Sequence, residues 1–251
     1  MNASVFSQFL LHIGDSHLIL SHRLSEWCGH APELELDIAL ANIGLDLLGQ
    51  ARTVLSLAGE IEGQGRDEDR LAYFRHEREY RNLLLTEQPN GDFGQTIVRQ
   101  WLMDHYHALL FRALSESKHE GLAAFAVKSL KEVNYHLRFS STWMERLSLG
   151  TTTAHEKIQH GLAQLWRFTD ELFDLTPEEH SLVEAEIIPD LAPLKHIWQT
   201  RVTEELTRLG LQIPELGAYR RGAKQGLHTE HLGYVLAEMQ YMQRSYPNMV
   251  W

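Results

Sequence analysis

Cysteine is almost missing from this chain of 251 residues: Cys28 stands alone, so no internal disulfide can form, and a reducing compartment fits. Proline is scarce as well. Seven prolines leave long stretches without a helix breaker. No run of about 18 apolar residues exists, which excludes a transmembrane helix. The first twenty residues lack a basic region followed by an apolar one, since His12, Asp15 and His17 interrupt them. No secretory leader is expected, and the cytoplasm is the expected location by elimination. An excess of positive charge is also absent. The formal net charge of -11 argues against a phosphate backbone as partner.

What is present is helical periodicity. Hydrophobic residues make up 43%, enough for a globular core. Phe6, Phe9, Leu10, Ile13, Leu20 and Leu24 recur at helical spacing from about Ser4 to Trp27. Gly29 closes that helix and Pro32 opens the next, with Glu33 and Glu35 in its first turn. The second helix carries two apolar stripes. One is Leu34, Ile38, Ala41, Leu45, Leu48 and Leu55; the other is Leu36, Leu40, Ile43, Leu47, Ala51 and Val54. Two stripes predict burial on more than one side. Gly44 and Gly49 suit a close neighbouring helix. Further helices are expected over about 68–87, 93–117, 122–149, 155–173 and 229–246, with one helix starting at Pro177 and another at Pro189. Pro214 to Gly226 reads as a glycine-rich loop. No period-two run persists. The expected fold is all-α, an up-down helical bundle with additional C-terminal helices, in one domain over 1–251.

Fifteen histidines invite a metal reading. A di-iron bundle needs a carboxylate from each of two helices and Glu-x-x-His from each of two others. No such pair of motifs lies in the buried stripes. His136 falls on the stripe Leu122, Ala126, Ser129, Val133, Ser140 and Trp143, but valine occupies the place three residues before it. A buried histidine bonded to a neighbour is the plainer reading. Asp104 sits among Phe93, Ile97, Trp101, Ala108 and Phe111, where a carboxylate needs a partner such as His136 or Lys131. Asn42, Asp46, Gln50 and Thr53 make a polar strip suited to networking in the core rather than to iron. His228, Thr229, Glu230 and His231 look metal-like, yet they begin a helix, with His228 or Thr229 as its cap. Cys28 is expected to be a packed thiol. Arg75, Arg78 and Arg81 would share one side of the 68–87 helix, facing either an anion or solvent. No phosphate loop, nucleophile elbow or dinucleotide fingerprint occurs.

Several longer runs are distinctive: Glu26 to Glu35, Ala41 to Arg52, Asn82 to Leu85 with Glu87 to Gly91, Lys131 and Glu132 with Tyr135 to Ser140, and Gly226 to Gly233 with Ala237 to Gln240. Through them the whole chain resembles the C subunits of bacterial ring-1,2-phenylacetyl-CoA epoxidases, ferritin-like proteins of phenylacetate degradation. The resemblance implies a non-catalytic structural subunit without a cofactor of its own. Its implied partners are a related di-iron A subunit, a small B subunit and a reductase with FAD and an iron-sulfur centre. That assembly epoxidises the ring of phenylacetyl-CoA with O2 and NADPH.

Laid over this chain, the A subunit's metal ligands fall on His17, on Leu47 and Gln50, on Asp104, and on Val133 and His136. Only Asp104 and His136 are competent there, so the resemblance implies a vestigial site. It also suggests contacts to the CoA substrate at Glu79, Tyr80, Arg81 and Asn82 and at His180, Ser181 and Leu182. The alternative from a different class is a free-standing bundle with a non-standard metal site built from Asp104, His136, Asp46 and His17.

Overall fold

The structure is a computed structural model that describes residues 2–215, 219–247 and 249. The described residues form helices and no strand, so the fold class is all-α. Two compact units divide the chain. One holds the residues up to Pro89 and those from Arg221 onward; the other holds Asn90–Arg220.

In the first unit α1 spans Ala3–Ser25 and α2 spans Leu34–Glu62. The Asn2 side chain starts α1 by accepting from the amides of Ser4 and Val5. The turn between the helices holds Gly29 at φ +79°, and its amide donates to the Asp37 carboxylate at 2.6 Å. Cys28 lies exposed in this turn. The expected packed thiol is corrected, because α1 has already ended at Ser25.

The two helices run antiparallel. Ser7 reaches the Ala58 carbonyl, and Ser21 lies beside Gly44. Their close approach is at Gly14, where a Cβ would come within 2.7 Å of Leu55. Nothing lies near a Cβ on Gly49. Phe6, Phe9, Leu10, Leu20 and Leu24 meet Leu40, Ile43, Leu47 and Val54 in a core closed to solvent.

The second apolar stripe of α2 departs from expectation. Leu36, Leu40, Ile43, Leu47, Ala51 and Val54 are buried, but Leu34 is 71% exposed, Ile38 53%, Leu45 64% and Leu48 41%. Of the polar strip only Gln50 is buried, while Asn42 and Thr53 are exposed.

The expected helix over 68–87 is also corrected. It is α3 (Glu68–Tyr73), a single turn at Glu77–Glu79, an extended stretch, and α4 (Leu84–Glu87). The cause is the buried charge of Asp15 on α1. Its carboxylate holds both Nη atoms of the Arg75 guanidinium and accepts from the Arg81 amide at 2.8 Å. Glu79 accepts from the His76 amide at 2.7 Å. Carboxylates thus replace helical carbonyls as the acceptors. Arg75 is buried, so it shares no basic face with the exposed Arg78.

In the second unit α5 (Phe93–Leu114) and α6 (Glu120–Ser148) form another antiparallel pair, with Phe93 against Trp143 and Phe111 against Phe125. Asp92 and His119 cap their starts. Residues 96–111 are buried without a break, so α5 has no solvent face over that length. The inward stripe of α6 is the expected one, except that Met144 is buried beside a half-buried Trp143.

Next comes α7 (Thr152–Leu165), whose Gly161 permits a backbone approach to Gln95. Two 3-10 turns then carry the chain to Phe173, where an unbroken helix was expected. α8 (His180–Glu184) and α9 (Leu191–Arg208) complete the unit, and the Trp198 indole donates to the Leu102 carbonyl. The expected loop over 214–226 includes residues 216–218, among them Gly217, which lie outside the described residues.

The final helix, α10 (Glu230–Ser245), belongs to the first unit. The Gln240 amide donates to the carbonyls of Ala72 and Arg75 at 3.0 Å and to the Tyr80 hydroxyl at 3.2 Å. Among the described residues no helix is long and apolar enough to cross a membrane.

Candidate functional site

Asp104 is the centre of the second unit's polar core. It is closed to solvent. One carboxylate oxygen accepts from the Gln100 amide and the other from the Ser140 hydroxyl, each at 2.7 Å. Gln100 lies one turn before Asp104 on α5, and Ser140 one turn after His136 on α6. Burial pushes the Asp104 pKa up to about 6, against the opposing pull of His136, the two hydrogen bonds and His105. Asp104 and His136 are therefore brought together, as the spacing predicts, but the carboxylate's direct partners are Ser140 and Gln100. Lys131 is not among them.

Val133, the position three residues before His136, is fully buried. In the first unit Leu47 is fully buried on α2, with Gln50 one turn on. His17 is buried on α1, and its Nδ1 donates to the Ile13 carbonyl at 2.7 Å. The six positions thus offer one carboxylate, two imidazoles, one amide and two hydrocarbon side chains. A di-iron centre takes four carboxylates and two imidazoles. Leu47 and Val133 have no donor atom, so the donor set does not fit that group. Among the described residues no group of three or more His, Cys, Asp or Glu could hold a metal ion.

The first unit contains a second buried polar cluster, around Glu87 at the end of α4. Its carboxylate accepts from Asn82 Nδ2 at 2.8 Å, the Thr229 amide at 2.6 Å and the Thr229 hydroxyl at 2.8 Å. His228 Nδ1 lies 2.9 Å from the same carboxylate, and His228 Nε2 lies 3.0 Å from the Tyr80 carbonyl. Both nitrogens face acceptors. A carbonyl has no hydrogen to give, so Nε2 is the donor to the Tyr80 carbonyl. The side chains of His228 and Glu87 are both closed to solvent. Arg23 adds two donors to the Glu87 carbonyl. Thr229 occupies the cap position of α10 without capping it, because its hydroxyl serves Glu87.

Of the four residues Glu79 to Asn82, Tyr80 and Asn82 touch this cluster. Tyr80 and Asn82 are buried. The Tyr80 hydroxyl donates to the Ala72 carbonyl, and its ring lies 4.4 Å below the Arg75 guanidinium. Arg81 is half-buried and donates to Gln8 and to the carbonyls of Arg78 and Tyr80. In the second unit His180 and Ser181 are exposed, Leu182 is buried, and Ser181 donates to the Glu178 carbonyl.

Sequence reasoning missed Asp15 and Glu87 as the acceptors that organise the first unit. Glu87 and His228 each stand in one of the distinctive runs. Their pairing across the length of the chain leaves no local signature.

A family profile described as phenylacetic acid catabolic protein matches residues 2–251. The chain belongs to the phenylacetic acid catabolic protein family. A relative in Escherichia coli (strain K12), the C subunit of 1,2-phenylacetyl-CoA epoxidase, is 53% identical over 243 residues. The match covers 97% of this chain and 98% of that relative. The resemblance carried by the long sequence runs is borne out over the full chain. In this member of the phenylacetic acid catabolic family, two of the positions that the overlay aligns with metal ligands are hydrocarbon, and a third carries an amide.

Proposed function

We propose that this chain is the non-catalytic structural subunit of a multicomponent ring-1,2-phenylacetyl-CoA epoxidase. It supports a di-iron A subunit that epoxidises the aromatic ring with O2 and NADPH, alongside a small B subunit and a reductase with FAD and an iron-sulfur centre. The chain itself holds no cofactor and works in the cytoplasm. The observation that carries this reading is the donor set: fully buried Leu47 and Val133 at two ligand positions, and Asp104 satisfied by Gln100 and Ser140. The 53% identity to the C subunit of such an epoxidase supports the assembly named here.

The role that follows is mechanical. A subunit that buries one face of the A subunit stabilises it by mass action and shapes its substrate channel. Tyr80 and Asn82 act as packing residues of the Glu87 cluster, and Arg81 is the basic group left at its edge for the CoA end of the substrate.

The decisive experiment measures epoxidation of phenylacetyl-CoA by the A subunit, B subunit and reductase, with and without this chain, together with the metal content of the chain expressed alone in iron-rich medium. The expected result is turnover that requires the A subunit and rises when this chain is added, with negligible metal in the chain. About two metal ions per chain, the content of a di-metal bundle, would overturn the reading.

A further inference from the structure

The exposed stripe of α2 has no counterpart in the chain's own core. Leu34, Ile38, Ala41, Leu45 and Leu48 are spaced four, three, four and three residues apart. That is the repeat that keeps one seam of a helix facing a second helix. It lies opposite the buried stripe of Leu36, Leu40, Ile43, Leu47 and Val54, so packing within the first unit leaves it uncovered. A flat sheet or an extended peptide gains nothing from this register. A helix does, because its knobs fit between successive pairs of the seam.

Charge narrows the occupant further. From Leu34 to Ala51, α2 carries Glu35, Asp37 and Asp46 and no basic side chain. Arg52, the first cation, is bonded to Glu68 at 3.0 Å. A second copy on this seam would set acids against acids in a parallel pair. In an antiparallel pair centred on Ala41 it would bring Glu35 of one copy toward Asp46 of the other. A helix with basic flanks meets the acids instead. At the end of the seam a cavity of about 340 Å³, lined by Leu48, Arg52, Leu55, Glu68 and Tyr73, can receive one bulky side chain of the occupant.

We propose that the Leu34–Leu48 face of α2 is the docking seam for an amphipathic helix of the di-iron A subunit, one with an apolar four-three repeat and basic flanks. This inference rests on the assembly reading above and assigns its contact face.

The test is size-exclusion chromatography of the full chain co-expressed with the A subunit, comparing wild type with Leu45→Asp. Val127→Asp, at an exposed apolar position on α6, is the control. We expect wild type and Val127→Asp to co-elute with the A subunit. Leu45→Asp should lose about 30-fold or more in affinity, the scale of a central interface residue, while its circular dichroism and melting temperature match wild type. If Leu45→Asp melts early, Leu34→Asp in the first turn serves in its place.

Co-elution of the seam variant at wild-type affinity would overturn the docking seam but leave the assembly reading standing. Equal loss with Val127→Asp would overturn the assignment to this face. A wild-type chain that elutes alone at twice its mass, with Leu45→Asp at single mass, would place a second copy on the seam and overturn the proposal. Failure of the wild type to co-elute overturns the assembly reading itself.

Discussion

Asp104 and His12 are both buried and both ionisable, and they tie stability to pH in opposite senses. Burial raises the Asp104 pKa from the ordinary carboxylate range to about 6. The folded state therefore holds a proton between about 4 and 6 that the unfolded chain releases, and Asp104's contribution is lost as pH rises through that window. Asp104→Asn keeps an oxygen for Gln100, and its amide can donate to the Ser140 hydroxyl, which then turns to the Leu137 carbonyl. The melting temperature of this variant, measured against wild type, should climb from pH 4 to pH 7; a flat difference would refute the assignment. Asp104→Ala leaves the Gln100 amide without its acceptor and sends the Ser140 hydroxyl back to the Leu137 carbonyl, and should cost about 1–3 kcal/mol in a denaturant melt. His12 behaves in reverse. Burial first, then Lys224, lower its pKa to about 3, while its Nδ1 donates to the Arg81 carbonyl at 2.7 Å. The unfolded imidazole takes a proton below about 6.5, so this contribution is lost as pH falls from there toward 3. His12→Asn keeps a donor near the Nδ1 position without the titration. Its stability should fall less than that of wild type between pH 6.5 and 4, as read from thermal melts across that range.

Among the elements, α10 is held both by its buried Leu232, Val235, Leu236 and Met239 and by acceptors presented from 72–87. Glu87→Ala would leave His228 Nδ1 and the Thr229 amide and hydroxyl without their acceptor in a closed site, and a buried polar group left unsatisfied costs about 1–3 kcal/mol. Amide hydrogen exchange should show α10 and the segment before it losing protection before α1 and α2 do; uniform loss across the unit would contradict this. The same region marks where the sequence was legible and where it was not. Helices α1, α2, α5, α6 and α10 follow from apolar spacing and from caps such as Asn2, Asp92 and Gly63, all of them local signals. The stretch from Phe74 to Leu83 does not, because its helical periodicity is overruled by Asp15, some sixty residues earlier in the chain. The Asp104–His136 pair was legible, since each lies on an apolar stripe that dictates an inward direction. The Ser140 contact needed the packing angle of two helices, which no spacing encodes, whereas Gln100 stands one turn before Asp104 on the same helix. The second stripe of α2 was visible in the sequence but not its exposure, because a core seam and an interface seam are written in the same residues.

At the scale of the whole molecule, one unit is a single stretch of chain and the other is assembled from both ends. A chain ending at Arg220 keeps Asn90–Arg220 whole but loses the His228, Thr229 and Gln240 partners of Glu87, Tyr80 and Ala72. Exchange measurements on that truncation should find α5 and α6 protected as in the full chain and residues 74–89 open; protection of 74–89 would mean that the final helix is dispensable to them. This arrangement also orders events during synthesis. The ribosome delivers α1 and α2 first, yet Glu87 receives its histidine only after everything from Asn90 to Arg220 has been made. The contiguous unit can complete itself while still tethered, as domains do during translation. The first hairpin waits for the last residues, so an incomplete chain displays its leucine seam on a unit that is not yet closed.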